Sequence, residues 1–260
     1  MNATTATNAT NDDSEPKATV LVDHYRATAV SEKSHVAYQG LPIHALPGLH
    51  EYAFDQFSRH AAPGASVLEL AAGSGAMSRR LADAGYRVTA TDYVRENFRL
   101  HGAIPFFTCD LNQNFSDGRA ASEDHICALE IIEHLENPRH FARQCFQVLR
   151  PGGTLLLSTP NLDTAASIAM FMRDLSFQWF AEDDYARDGH ITPLTQWQLN
   201  KCFTEAGFTT AWEGSVGDPW GRVRGSPRLL YLSKAIALLM RRPAPLRNQI
   251  YVALLRKPAA

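Results

Sequence analysis

Between Val67 and Met77 the chain reads Val-Leu-Glu-Leu-Ala-Ala-Gly-Ser-Gly-Ala-Met. An apolar run ends at an acid, passes through a turn of small residues and enters a helical pattern at once. A strand, a glycine turn and a helix in that order begin a parallel sheet covered by helices, and the turn is the place where a ligand can come close to the backbone. Small side chains leave room there, and the helix N-terminus offers free N–H groups to a negative group.

The rest of the chain continues the alternation. Strands are predicted over 66–70, 87–91, 105–109, 125–129 and 153–158, with helices over 77–84, capped by Ser74 and closed by Gly85, and over 138–149, and a short segment near 94–101. A helix over 193–206 stopped by Gly207, a strand over 208–212, a basic helix over 228–242 and a last strand over 249–256 follow. The expected architecture is α/β: a doubly wound, mostly parallel seven-stranded sheet with an antiparallel last strand. Residues 161–190 are too long for a plain loop and are rich in apolar side chains, so they are expected to form a helical lid over the carboxyl ends of the strands.

With 260 residues, 45% of them apolar, one domain with a sizeable core is expected over 23–260, preceded by a disordered tail over 1–22. The tail has neither a basic start nor an apolar centre, unlike a signal peptide or an anchor. Cys109, Cys127, Cys145 and Cys202 form no CxxC pair and read as reduced thiols of a cytoplasmic protein. Net charge is −2, which argues against nucleic acid as a partner. The average hides a basic end: nine Lys and Arg and no acid follow Asp218, leaving residues 1–218 at −11. Within that end, residues 226–243 join apolar residues to flanking arginines. Such a segment suits either peripheral contact with a membrane surface or a helix packed on the sheet.

Three acids stand at three successive predicted strand ends. Glu69 precedes the glycine turn, Asp92 closes the second strand 19 residues after Gly73, and Asp110 closes the third with Leu111 beside it. Glu69 would repel a pyrophosphate but attract an amine. Asp92 can accept from two ribose hydroxyls, and Asp110 can accept from an adenine amino group that Leu111 covers. S-adenosylmethionine carries all of these parts. A dinucleotide would instead want a third small residue for helix packing, where the chain has Ser78.

These residues, together with Ala128-Leu129-Glu130-Ile131-Ile132-Glu133-His134-Leu135, Leu149-Arg150-Pro151-Gly152-Gly153 and Ser158-Thr159-Pro160-Asn161, resemble the class I S-adenosylmethionine-dependent methyltransferases over about residues 65–208. Within that class the last three stretches are similar to the ubiquinone-biosynthesis O-methyltransferases. The resemblance implies a cofactor seat of Glu69, Ala71, Gly73, Gly75, Asp92, Tyr93, Asp110, Leu111 and Glu130. Ala71 stands where the family often has Gly, which is tolerated if the backbone there avoids positive φ.

A second constellation, Glu130-x-x-Glu133-His134, is joined by His190 beyond the lid. Two carboxylates and two imidazoles can hold Mg²⁺, Mn²⁺ or Zn²⁺, which would lower the pKa of a substrate hydroxyl. A similar arrangement carries a divalent metal in the ubiquinone O-methyltransferases and the small-RNA 2′-O-methyltransferases. That resemblance implies Glu130, Glu133, His134 and His190 as ligands, with His134, Glu133 and His190 catalytic. The same pentapeptide also serves metal-free enzymes, with His134 as a base, or simply shapes a turn, and these readings stay open.

Selectivity for a small-molecule acceptor is expected from residues 23–60, which include His24, His35, His44 and His50, and from the lid. Their aromatic residues, Tyr25, Tyr38, Phe54, Phe171, Phe177, Trp179, Phe180 and Tyr185, suit a chamber for an apolar acceptor or a core that anchors the lid. Methyl transfer to a hydroxyl leads these readings. Transfer to nitrogen, a nicotinamide-dependent oxidoreductase and a non-catalytic binding protein are the alternatives.

Overall fold

A computed structural model describes residues 36–259; the expected tail, Tyr25, His24 and His35 lie outside the described residues. A hairpin opens the described chain, β1 (Ala37–Tyr38) and β2 (Leu41–Pro42), turning through Gln39 and Gly40, both at positive φ. Helix α1 (Leu49–Ser58) follows. The main sheet consists of β3 (Ser66–Leu70), β4 (Arg87–Asp92), β5 (Phe106–Thr108), β6 (Glu123–Ala128), β7 (Leu149–Pro160), β8 (Thr209–Val216) and β9 (Ile250–Arg256). The other helices are α2 (Ala76–Asp83), α3 (Pro138–Val148), α4 (Ala165–Asp174), α5 (Glu182–Asp188), α6 (Gln196–Ala206) and α7 (Pro227–Leu239).

The seven strands lie in the order β5-β4-β3-β6-β7-β9-β8. The chain moves outward from β3 to β5, returns to place β6 beside β3, and then moves outward the other way. Strand β9 is antiparallel to both its neighbours and β3 through β7 are mutually parallel. This is the expected doubly wound sheet with an antiparallel finish. The reversal leaves a crevice at the carboxyl ends of β3 and β6, where open α/β sheets bind ligands.

Alternating strand residues bury on opposite faces. Leu68, Leu70, Ile126, Leu155 and Leu157 meet Phe141, Cys145, Leu199 and Phe203 of α3 and α6. Val67, Val88, Ala90 and Leu156 meet Leu49, Phe57, Met77 and Leu81 of α1 and α2 on the other side. Truncating a side chain such as Phe57 or Phe141, both fully buried, to alanine would cost about 3–5 kcal/mol.

The structure differs from the sequence reading in several places. Ser74 does not cap α2: its hydroxyl donates to the Pro42 carbonyl at 2.6 Å, and Gly75 is the N-cap in a left-handed conformation. The segment near 94–101 contains only a single 3-10 turn, Arg95–Asn97, because Phe98 leaves it to enter the core beside Phe106. Helix α6 starts at Gln196, since Thr195 and Gln198 form a reciprocal capping box just before it. The lid is helical as expected, in two pieces, α4 and α5.

Candidate active site

The turn after β3 is held by backbone bonds from Ala72 N–H to the Thr91 carbonyl and from Gly75 N–H to the Ala72 carbonyl, each 2.9 Å. Ala71 has φ 55°, Gly73 52° and Gly75 89°. The condition under which alanine is harmless at position 71 is therefore not met: Ala71 occupies the left-handed region that favours glycine. Gly75 cannot carry a side chain either, because a Cβ there would lie 2.8 Å from the Phe98 ring. Around Gly73 a Cβ would meet nothing within 4 Å, so that backbone faces open space.

Each strand-end acid is positioned by neighbours. The Ser78 hydroxyl, in the first turn of α2, donates to Glu69, which is almost wholly buried. Burial, and secondarily the Asp92 charge, push the Glu69 carboxyl up to about 8 against the hydrogen bonding from Ser78. Asp92 accepts from Gly73 N–H at 2.8 Å and Val94 N–H at 2.9 Å; burial still raises its pKa against those donors. Asp110 accepts from Asn112 N–H at 2.9 Å, and Leu111 beside it is buried.

The second constellation sits where β6 gives way to a 3-10 turn, Ile132–His134. Glu130 holds φ 51°, and its carboxylate accepts from the Ser158 hydroxyl at 2.8 Å. Glu133 is 0% exposed; one carboxylate oxygen accepts from Thr159 Oγ1 at 3.0 Å and the other has no hydrogen-bond partner among the described residues. Burial and the Glu130 charge hold Glu133 well above the usual carboxylate range, and burial lifts Glu130 to about 7. The Glu133 carbonyl takes the N–H groups of Ile191 and Thr192, which ties the end of the lid to this turn.

That tie brings His190 to His134, with ring centroids 4.9 Å apart. Burial, with the His190 charge second, lowers His134 to about 3, and burial lowers His190 as well. His190 Nδ1 lies 2.8 Å from the Trp179 carbonyl, so Nδ1 carries the proton and Nε2 the lone pair. A carboxylate oxygen of Glu133 and ring nitrogens of His134 and His190 come within 4.8 Å of one another. Glu130 is not in that group. Three of the four sequence-predicted metal ligands are therefore assembled, and their make-up of two imidazoles and one carboxylate suits a borderline cation such as Zn²⁺ or Mn²⁺ better than Mg²⁺.

Both constellations open into one cavity of about 1190 Å³. Glu69, Ala71, Gly73, Asp92, Tyr93, Asp110, Leu111 and Glu130 line one part of it, and His134, His190, Trp179, Arg187 and Arg222 another. Gly75 and Glu133 stand behind the wall. Of the two readings of the arm and lid aromatics, the described residues favour a core that anchors the lid over a chamber. Of the described lid and arm aromatics named from sequence, only Trp179 lines the cavity; Phe171 and Phe177 stack on each other and Tyr38 hydrogen-bonds Asp83. His44 and His50 of the arm do line it.

Sequence reasoning missed the residues that hold the acids. Ser78 entered it only as a poor dinucleotide match, and Ser158 and Thr159 only as part of a family-like stretch. Their placement does carry a signal: Ser78 faces Glu69 across the glycine turn, and Ser158 and Thr159, near the end of β7, face Glu130 and Glu133 just past the end of β6. Arg222, which stacks 4.4 Å over the Trp179 ring and pairs with buried Asp184, left no such trace.

The fold and this crevice define the Rossmann-like, S-adenosylmethionine-dependent methyltransferase class. Residues 44–211 match the methyltransferase-domain family, and the chain belongs to it. A ubiquinone biosynthesis O-methyltransferase of Xanthomonas campestris pv. campestris is 36% identical over 133 residues, covering 48% of this chain and 54% of that protein. The chain thus spans about half the length of the curated relatives it matches. Among solved structures, an S-adenosylmethionine-dependent methyltransferase from Mesorhizobium loti shares the fold with a TM-score of 0.58 at 16% identity, over 82% of this chain and 100% of that one. A phosphoethanolamine N-methyltransferase of Haemonchus contortus in complex with S-adenosylmethionine does so with a TM-score of 0.56 at 14% identity, over 80% and 52%.

Proposed function

We propose that this protein transfers the methyl group of S-adenosylmethionine to a hydroxyl oxygen of a small molecule. The observation that carries this reading is the single cavity with an acid-lined seat in one part and the His134–His190 pair in another. A volume of about 1190 Å³ exceeds that of a pocket for one drug-sized ligand, roughly 300–1,000 Å³, and leaves space for a cofactor and an acceptor together. The sequence relatives named as O-methyltransferases favour oxygen over nitrogen.

In the seat, Glu69 faces the ammonium, Asp92 the ribose hydroxyls and Asp110 the adenine amino group. The acceptor oxygen attacks the methyl carbon as the carbon–sulfur bond breaks, leaving S-adenosylhomocysteine. The acceptor's proton goes to the Nε2 lone pair of His190, whose ring the Trp179 carbonyl keeps in that tautomer. Holding both reactants in line within one enclosure supplies most of the acceleration. Where a divalent cation is bound instead, Glu133, His134 and the same Nε2 of His190 would hold it, and it would lower the pKa of a bound hydroxyl in place of the base role of His190.

Calorimetric titration with S-adenosylhomocysteine and with NAD, followed by methyl-transfer assays on catechols and sugars with and without chelator, tests the reading. Binding of S-adenosylhomocysteine and activity lost in His190→Gln are expected. Binding of NAD alone would overturn it.

A further inference from the structure

Helix α7 packs on α4 through Ala166, Ala169 and Met170 on one side and Leu229 on the other. The start of α4 and the end of α7 line the same small cavity, so the two helices run antiparallel. The face that α7 turns away from α4 is not polar. Tyr231 is 72% exposed, Leu238 88% and Leu239 84%. Their spacing of seven and eight residues puts them on one stripe. At the other end of α4, Met172 and Leu175 add exposures of 63% and 80%. Among the exposed large apolar side chains of the described residues, most belong to this helix pair.

The cations around the stripe are as unusual as its apolar residues. Arg228, Lys234 and Arg241 are exposed and, among the described residues, have no acidic partner. Other arginines of the same basic end are engaged, Arg222 with Asp184, Arg224 with Asp218 and Arg242 with Asp163. Arg228 stands in the first turn of α7, which contains no acid, where a positive charge opposes the helix dipole. Helix stability does not account for it there. A leucine and tyrosine stripe interleaved with unpaired cations fits a surface that is apolar beneath and anionic at its boundary.

We propose that α7, with the end of α4, docks on the anionic face of a phospholipid bilayer. Tyr231, Leu238 and Leu239 enter the acyl boundary while Arg228, Lys234 and Arg241 meet lipid phosphates. A second copy of the chain is the poorer occupant, because a two-fold contact through this stripe would set the three cations of one copy against those of the other. No helix among the described residues is long and apolar enough to cross a membrane, so the contact lies on the surface. The proposal is independent of the chemistry in the cavity.

Flotation of the full chain with phosphatidylcholine vesicles, with and without phosphatidylglycerol, tests it. The protein should float with the anionic vesicles and be released by high salt. Leu238→Glu/Leu239→Glu should reduce the floated fraction at least tenfold. Neutralising Arg228, Lys234 and Arg241 to Gln should weaken binding about a hundredfold, at about fivefold per cation. Both variants should bind S-adenosylhomocysteine like the wild type, since these side chains are exposed and remote from the seat, and that binding verifies that they fold. Wild-type protein that stays at the bottom of the gradient with anionic vesicles overturns the proposal. So does flotation of the double glutamate variant at wild-type levels, or a wild-type dimer that this variant splits into monomers.

Discussion

Two glycines two residues apart should respond to the same substitution in opposite ways. In Gly73→Ala the new methyl meets nothing within 4 Å, so the protein bears only the left-handed backbone, at φ 52°. That costs about 1–2 kcal/mol, offset by about 0.4–1 kcal/mol from a less flexible unfolded chain. A net loss of about 1 kcal/mol lowers Tm by about 2–4 °C in a chain of this size. In Gly75→Ala the methyl lies 2.8 Å from the Phe98 ring and 3.0 Å from Leu100, and Phe98 is buried and has nowhere to go. Overpacking adds about 1–3 kcal/mol, for a total near 3 kcal/mol and a fall of about 6–12 °C. Ligand binding should rank the other way. The Gly73 methyl projects into the cavity at the proposed cofactor seat and should weaken S-adenosylhomocysteine at least about tenfold, or 1.4 kcal/mol. Gly75 is behind the wall and its alanine variant should lose far less. Thermal unfolding by circular dichroism and calorimetric titration measure the two effects. If Gly73→Ala kept wild-type affinity, the cofactor would not lie against this turn.

Ala71→Gly should stabilise the protein by about 0.5 kcal/mol, since relief of the left-handed strain exceeds the added unfolded-chain entropy; an unchanged Tm would show that the turn carries no strain at φ 55°. Glu69, raised from 4.5 to about 8, favours the folded state fully below its unfolded pKa, and that contribution is lost as pH rises through 8. The ligand-free protein should therefore lose Tm between pH 6 and 9, less steeply in Glu69→Gln. Binding of a ligand ammonium should also expel about 0.9 proton at pH 7, read from calorimetry in two buffers of different ionisation enthalpy; zero release would mean the ammonium lies elsewhere.

Features that one short window specifies were legible in the sequence. Strand β3 falls on the residues read for it, because the apolar run between Ala65 and the glycine turn admits one register. The same window named Glu69 and Gly73, the end of the next strand named Asp92, and all three line the cavity. What failed depended on partners far along the chain. Ser74 is a good cap by type, yet the Pro42 carbonyl, 32 residues earlier, takes its hydroxyl. The lid aromatics suited a chamber or a core alike; Phe171 found Phe177, and of them only Trp179 lines the cavity. That residue has φ 69°, a conformation no pattern of residue types predicts for tryptophan. The metal set was legible in composition but not in geometry, since Ser158 holds the Glu130 carboxylate apart from the other three groups.

The load on this site lies in its charges. Glu69, Asp92, Glu130 and Glu133 are all raised by burial, and none of them forms an ion pair among the described residues. The arginines that reach the cavity, Arg187 and Arg222, are committed to Asp184 and Asp188. No cation among the described residues balances these acids, so in the ligand-free protein Glu69 and Glu133 keep their protons at neutral pH. A ligand with an ammonium and a sulfonium is what such a crevice lacks. Once the methyl leaves, the sulfur becomes neutral and half of that positive charge is gone. On the proposed function, acids that give up their protons to meet the cofactor's two positive charges should hold the product, which keeps only its ammonium, less firmly.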